Sequence, residues 1–155
     1  EWNGPNAERC IKTTLARQIA NWVIIYSPLQ MAADLIENYE GHPAFRFFRD
    51  FDADCDWSKA LQGEIGDYIV VARRAKDRHF LGAGTDEKAR TLVQKLDFLE
   101  PGVTYTATIY ADAPDAGRNP EAYLIGKRAV TARDTIRIEM AERGGQAITF
   151  IPAEK

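Results

Sequence analysis

Histidine, cysteine and methionine are scarce here, with two of each in 155 residues. Cys10 and Cys55 are too few for a disulfide scaffold or a zinc centre. They read as two thiols, with a single bridge as the other option. His42 and His79 lie far apart, and neither has a carboxylate or cysteine partner at metal-ligand spacing. Both therefore read as surface or interface residues. Long apolar runs are missing as well. None approaches the roughly 20 residues that span a bilayer, and no signal peptide is recognisable. Excess positive charge is absent: the formal net charge is −3, so nothing points to general affinity for phosphate or nucleic acid. The chain has no phosphate-binding glycine loop, dinucleotide fingerprint or serine-centred nucleophile motif. "GAGTDEKAR" (82–90) carries glycines, but in the context of a β-turn.

What is present is ordinary globular composition, 45% hydrophobic and 28% charged. That is enough for one domain with a core and a short appendage. The first residue is Glu1, so the sequence reads as a mature, trimmed or cloned piece. In the first third, Ile11, Leu15, Ile19, Trp22, Val23 and Tyr26 recur at the three-and-four spacing of one helix face. Asn3 or Asn6 would cap that helix, Pro5 suits an early position and Pro28 ends it. "LQMAADL" (Leu29 to Leu35) is apolar on both alternations, which suits a strand buried on both faces. "HPAFRFFRDF" (His42 to Phe51) suits a short helix with Phe45, Phe48 and Phe51 on one side.

From about Gly63 the period changes to two. "GDYIVVARRA", "HFLGAGT", "RTLVQKLDF", "VTYTATIYA", "AYLIGKRAVT", "DTIRIEM" and "AITFIP" read as about seven strands joined by turns. In "VTYTATIYA" the inward row is Val103, Tyr105, Ala107, Ile109 and Ala111. Thr104, Thr106, Thr108 and Tyr110 face the other way, which makes Tyr110 the tyrosine expected at the surface. The fold class is thus mainly β: an antiparallel β-sandwich of Greek-key type, preceded by a helix-strand-helix segment. A lone helix and buried strand cannot satisfy themselves, so the chain is expected to lack neighbours that it was built to pack on.

"TTLARQIANWVIIYSPLQMAADLIENY" (Thr13 to Tyr39) resembles the end of the catalytic barrel in glycoside hydrolase family 97. The likeness continues through Trp57, "GEIGDYIVVARR" (Gly63 to Arg74), "YTATIYADAPDAGRNPEAY" (Tyr105 to Tyr123) and "GGQAI" (Gly144 to Ile148). Ile36 departs from the family's usual proline. The family comprises α-glucosidases and α-galactosidases with an N-terminal sandwich, a (β/α)₈ barrel and a C-terminal sandwich. On that map residues 1–56 are a remnant of the barrel's end and 57–155 the C-terminal sandwich. The resemblance implies a C-terminal fragment whose partners are the rest of the parent enzyme and, for the intact enzyme, an oligosaccharide. It implies no nucleic acid and no membrane. The family's acid and base glutamates and its calcium-binding carboxylates belong to barrel loops upstream of Thr13. No catalytic residue and no cofactor are therefore expected in this chain, and calcium is expected in the intact enzyme. A periplasmic or secreted location is implied in the same way.

Within that frame Asp34 closes the expected eighth barrel strand. Catalytic groups of such barrels sit at the carboxyl ends of strands, so Asp34, with Glu37 nearby, is the candidate substrate-binding residue, as a pocket wall of the intact enzyme. A hydrogen bond from Asp34 to loop backbone is the simpler role. Asp50, Asp52, Asp54 and Asp56 alternate, but Trp57 and Gly63 stand where an EF-hand counted from Asp52 needs glycine and glutamate. They read as a solvated acidic linker, and no metal site is assigned. Tyr68, Tyr105, Tyr110, Tyr123 and Trp57 are candidates for stacking on sugars. On that basis the alternative function is a non-catalytic carbohydrate-binding module, against a sandwich that packs on and stabilises the barrel. Residues 7 to 51 carry apolar surface. The first helix is expected either to pack on the sandwich or to drive self-association.

Overall fold

The computed structural model describes residues 12–32 and 35–153. Helix α1 (Leu15–Ile24) is followed by α2 (Ile36–Tyr39), a 3₁₀ turn (Pro43–Phe45) and α3 (Arg46–Asp50). Eight strands follow: β1 (Trp57–Glu64), β2 (Tyr68–Ala75), β3 (Arg78–Thr85), β4 (Arg90–Lys95), β5 (Tyr105–Asp112), β6 (Tyr123–Val130), β7 (Thr135–Met140) and β8 (Gly145–Pro152). Six of them form one sheet in the order β1-β2-β3-β8-β5-β6, and β4 and β7 form the second. Every pairing is antiparallel. The chain crosses to the small sheet at β4 and at β7, and β8 returns to fill the gap between β3 and β5. The expected sandwich with a preceding helical segment is what forms.

Alternation along the strands splits the large sheet into two faces. The inner face packs on the small sheet: Val70, Leu81, Tyr105, Ala107, Ile148 and Phe150 meet Leu96, Ile136, Ile138 and Met140. The outer face is not left to solvent. Ile19, Ala20 and Val23 of α1 and Phe47 of α3 cover Phe80, Tyr110 and Ala147 there. Burying a side chain such as Ile19 or Val23 stabilises by about 1.5–3 kcal/mol. The centre of the sheet is thus covered on both sides, and β8 is buried along most of its length.

This second layer explains the departures from the sequence reading. Tyr110 is not at the surface; it is fully buried, with the Phe47 ring edge-on at 5.5 Å. Phe47, rather than Phe45, Phe48 and Phe51, is the fully buried phenylalanine of α3. The expected strand at Leu29 to Leu35 does not form among the described residues, which have neither helix nor strand from Ser27 to Ala32. It has no neighbouring strands to take its backbone hydrogen bonds. Conversely, β1 was not anticipated. It lies at the sheet edge with a register shift between Ala60 and Gln62, which breaks the alternation that marks a strand. Among the described residues no helix is long and apolar enough to cross a membrane.

Gly82 sets how closely α1 approaches the sheet. A Cβ there would lie 2.6 Å from the Ala20 carbonyl oxygen and 2.8 Å from the Val23 Cβ. Gly82→Ala is expected to cost about 1–3 kcal/mol in urea unfolding, because helix or strand must move. Gly117→Ala, where a Cβ meets nothing within 4 Å, should change stability by less than about 0.5 kcal/mol.

Candidate functional site

Both ends of α1 are tied to the sheet. Thr14 caps its start, its hydroxyl accepting from the Arg17 amide at 3.1 Å. Arg17 then donates to the Asn21 side chain at 3.0 Å and to the Thr85 carbonyl at 2.8 Å. At the far end Arg73 of β2 reaches under the helix and donates to the Val23 and Ile24 carbonyls. A cation on the last carbonyls of a helix satisfies both their hydrogen bonds and the negative end of the dipole. Arg73 is only 2% exposed, and its guanidinium lies 4.9 Å from the centre of the Tyr26 ring. Gln30 adds a side-chain bond to the Ile25 carbonyl at 3.1 Å. The helix is therefore held rigidly up to the point where the chain leaves the sheet.

Beyond that point the apolar side chains face outward. Ile25, Tyr26, Leu29, Met31, Leu35 and Ile36 are 55–80% exposed. Scattered exposed apolar residues are normal, but this density within one short segment marks an interaction surface. Asp34 lies outside the described residues. So does Cys10, hence also its pairing with Cys55, which carries a free thiol. Glu37 is exposed in the first turn of α2.

Under the other end of α1, Asp112 of β5 gathers the β7–β8 turn. Its Oδ2 accepts from the Ala141 amide at 2.9 Å and the Gly145 amide at 3.0 Å, while Oδ1 is buried without a partner. Burial raises the carboxyl pKa, and the Thr14 hydroxyl, the two amides and the Arg17 charge oppose that shift. Gly144 and Gly145 pass too close to Asp112 and Arg17 for any side chain. This places a structural demand on the "GGQAI" motif.

The remaining candidates are not brought together. Asp52 pairs with Lys76 at 3.0 Å, Asp50 with Arg46 at 3.0 Å, and Asp56 accepts from the Lys76 amide at 2.8 Å. These carboxylates are each turned to their own cation or amide. Among the described residues no three His, Cys, Asp or Glu side chains are grouped to hold a metal ion. His42 lies against Tyr123, ring centres 5.4 Å apart. His79 is not a surface residue. It is buried between Trp57, Phe98 and Tyr105. Of the stacking candidates, Tyr105 and Tyr110 are buried, Tyr68 is covered by Arg90 at 5.2 Å, and Trp57 and Tyr123 are half-buried. An open groove of about 550 Å³ runs past Arg17, Gly63, Ile65, Tyr68 and Asp86.

Residues 54–151 match the family described as "Glycosyl-hydrolase 97 C-terminal, oligomerisation". The chain belongs to glycoside hydrolase family 97. It is 32% identical over 136 residues to a retaining alpha-galactosidase of Bacteroides thetaiotaomicron, matching 87% of this chain and 20% of that protein. It is 45% identical to a family 97 enzyme of Pseudoalteromonas sp. strain K8 solved in complex with acarbose, with a TM-score of 0.89 over 92% of this chain and 23% of that one. A variant of that enzyme solved with panose aligns at a TM-score of 0.87 and 46% identity. The chain thus spans about a fifth of the length of the family 97 proteins it matches. It corresponds to a C-terminal part of such an enzyme.

His79 gives a pH signature. Burial lowers its pKa below the ordinary value, with the Glu100 charge opposing. The unfolded chain then binds a proton that the folded chain does not. Stability falls as pH drops below about 6.5 and levels off once the folded pKa is passed. Urea unfolding between pH 5 and 8 should show this slope, and His79→Phe should flatten it.

Proposed function

We propose that the parent protein is a glycoside hydrolase acting on α-glucosidic or α-galactosidic bonds of oligosaccharides, and that this chain is its structural terminus. The boundary falls between residues 56 and 57. Residues 1–56 complete the barrel, and 57–155 form a sandwich that packs on it and stabilises it. One observation carries this reading: the exposed apolar side chains of Ile25, Tyr26, Leu29, Met31 and Ile36 follow directly on the point where α1 is clamped to the sheet by Arg73. A rigid anchor followed by exposed apolar side chains suits a seam with a neighbouring part of the enzyme. The missing barrel strands are that neighbour. Asp34 then stands at the pocket wall of the intact enzyme, without a catalytic role of its own. Calcium belongs to the intact enzyme; the carboxylates of Asp50, Asp52 and Asp56 are engaged by Arg46, Lys76 and local amides and do not fit it. A periplasmic or secreted location follows from the family resemblance.

The alternative, a carbohydrate-binding module, has little to stand on. Two of its aromatic candidates are interior residues, and the rest are covered or half-buried.

The seam has a direct test. Leu29→Ser with Met31→Ser should lower the thermal midpoint of the full-length enzyme. The midpoint of the 155-residue chain should stay where it is, because these side chains touch little there. An equal loss in both would refute the seam. The chain alone should not turn over a nitrophenyl α-glucoside or α-galactoside.

A further inference from the structure

A β-sandwich has strand edges, and an open edge is a template for another strand. Three of the edges here are blunted. β1 carries the register shift at Ala60 and Gln62. On β4 the Gln62 side chain donates to the Val93 carbonyl at 3.3 Å and to the Gln94 side chain at 2.8 Å. On β7 the Gln146 side chain accepts from the Glu139 amide at 3.3 Å and donates to the Arg137 carbonyl at 3.4 Å, and Arg128 donates to the Thr135 carbonyl at 2.6 Å. β6 carries Lys127 and Arg128 but, among the described residues, neither a register shift nor a side-chain hydrogen bond to its backbone. It pairs with β5 without a shift from Tyr123 to Val130. It contains no proline, and Leu124 to Ala129 are exposed on both faces. Leu124 and Ile125 are 54% and 40% exposed on opposite sides of the strand.

We propose that β6 pairs with β6 of a second copy of this chain, antiparallel, with Gly126 opposite Gly126 on the two-fold axis. The family's description as an oligomerisation domain names no surface; the strand itself selects one. In an antiparallel ladder, residues facing each other turn their backbone groups both inward or both outward. Two identical strands related by a two-fold axis must therefore set one residue opposite itself. Centring on Lys127 or Arg128 would set a cation against its own copy, which is unfavourable. Centring on Ile125 ends the ladder at Lys127. Centring on Gly126 pairs the strand from Tyr123 to Ala129, with Leu124 facing Arg128 and Ile125 facing Lys127. No like charges then face each other. Gly126 has nothing within 4 Å of where a Cβ would stand, so a side chain placed there meets no clash within the chain. The two large sheets become one. The surface is separate from the Ile25 to Ile36 seam, so it does not depend on the proposed barrel contact.

The test is sedimentation of the 155-residue chain over a concentration series. The chain should dimerise reversibly. Ile125→Lys sets lysine against Lys127 twice across the axis and should raise the dissociation constant by about tenfold. Ile125→Glu, which faces the same lysine, should leave the dimer intact. Register is read by oxidation in a Cys10→Ser, Cys55→Ser background. Gly126→Cys lies about 4.5–5.5 Å from its mate in Cα separation, within reach of a disulfide, and should yield a covalent dimer. Lys127→Cys is displaced from its own mate along the strands and should not. A chain that stays monomeric overturns the proposal. So do equal losses from Ile125→Lys and Ile125→Glu, or cross-linking through Lys127→Cys. Association abolished by Leu29→Ser with Met31→Ser but untouched by Ile125→Lys would show that copies meet through the seam instead, and would also overturn it.

Discussion

A helix can approach a sheet only as closely as the intervening side chains permit, and at Gly82 the strand offers none. The Ala20 carbonyl and Val23 come down onto the β3 backbone itself. That approach brings Ile19 and Val23 into the outer core with Phe80 and Ala147. It also carries the end of α1 to Arg73, whose buried guanidinium answers the last carbonyls. Phe47 and Tyr110 then close the layer from the α3 side. With that contact the central strands of the large sheet are covered on both faces.

The same arrangement decides which groups are available to a partner. Several polar groups near the helix are engaged within the chain: Arg17 by Asn21 and Thr85, Asp112 Oδ2 by two turn amides, Gln30 by the Ile25 carbonyl. Exposed apolar side chains are concentrated elsewhere, at Ile25, Tyr26, Leu29, Met31 and Ile36 beyond the helix and at Leu124 and Ile125 on β6.

Much of the sandwich was legible because its strands alternate and its turns carry glycine and proline. The first helix was legible through its three-and-four spacing. β1 was not, since its bulge and exposure blur the period. Tyr110 was misjudged for a physical reason: alternation tells which residues share a face, but not whether that face is wet. The helical layer that dries it comes from a distant part of the chain. His79 carried no local signal either; its burial follows from Trp57, Phe98 and Tyr105 arriving from three other segments. At Leu29 to Leu35 the sequence is apolar on both alternations, but pattern alone cannot supply the neighbouring strands, and among the described residues no strand forms there.

The position of β8 has a kinetic side. It is the last strand in chain order, yet it sits between β3 and β5. Until it is in place, the two halves of the large sheet have no backbone bonds between them, and α1 has only part of its platform, because Ala147 belongs to β8. Closure joins residues far apart in sequence, His79 with Phe150 for example, so loop entropy must be paid before the contacts return anything. Pairing of β8 therefore couples the two halves of the large sheet and the helical layer in one closing step between distant parts of the chain.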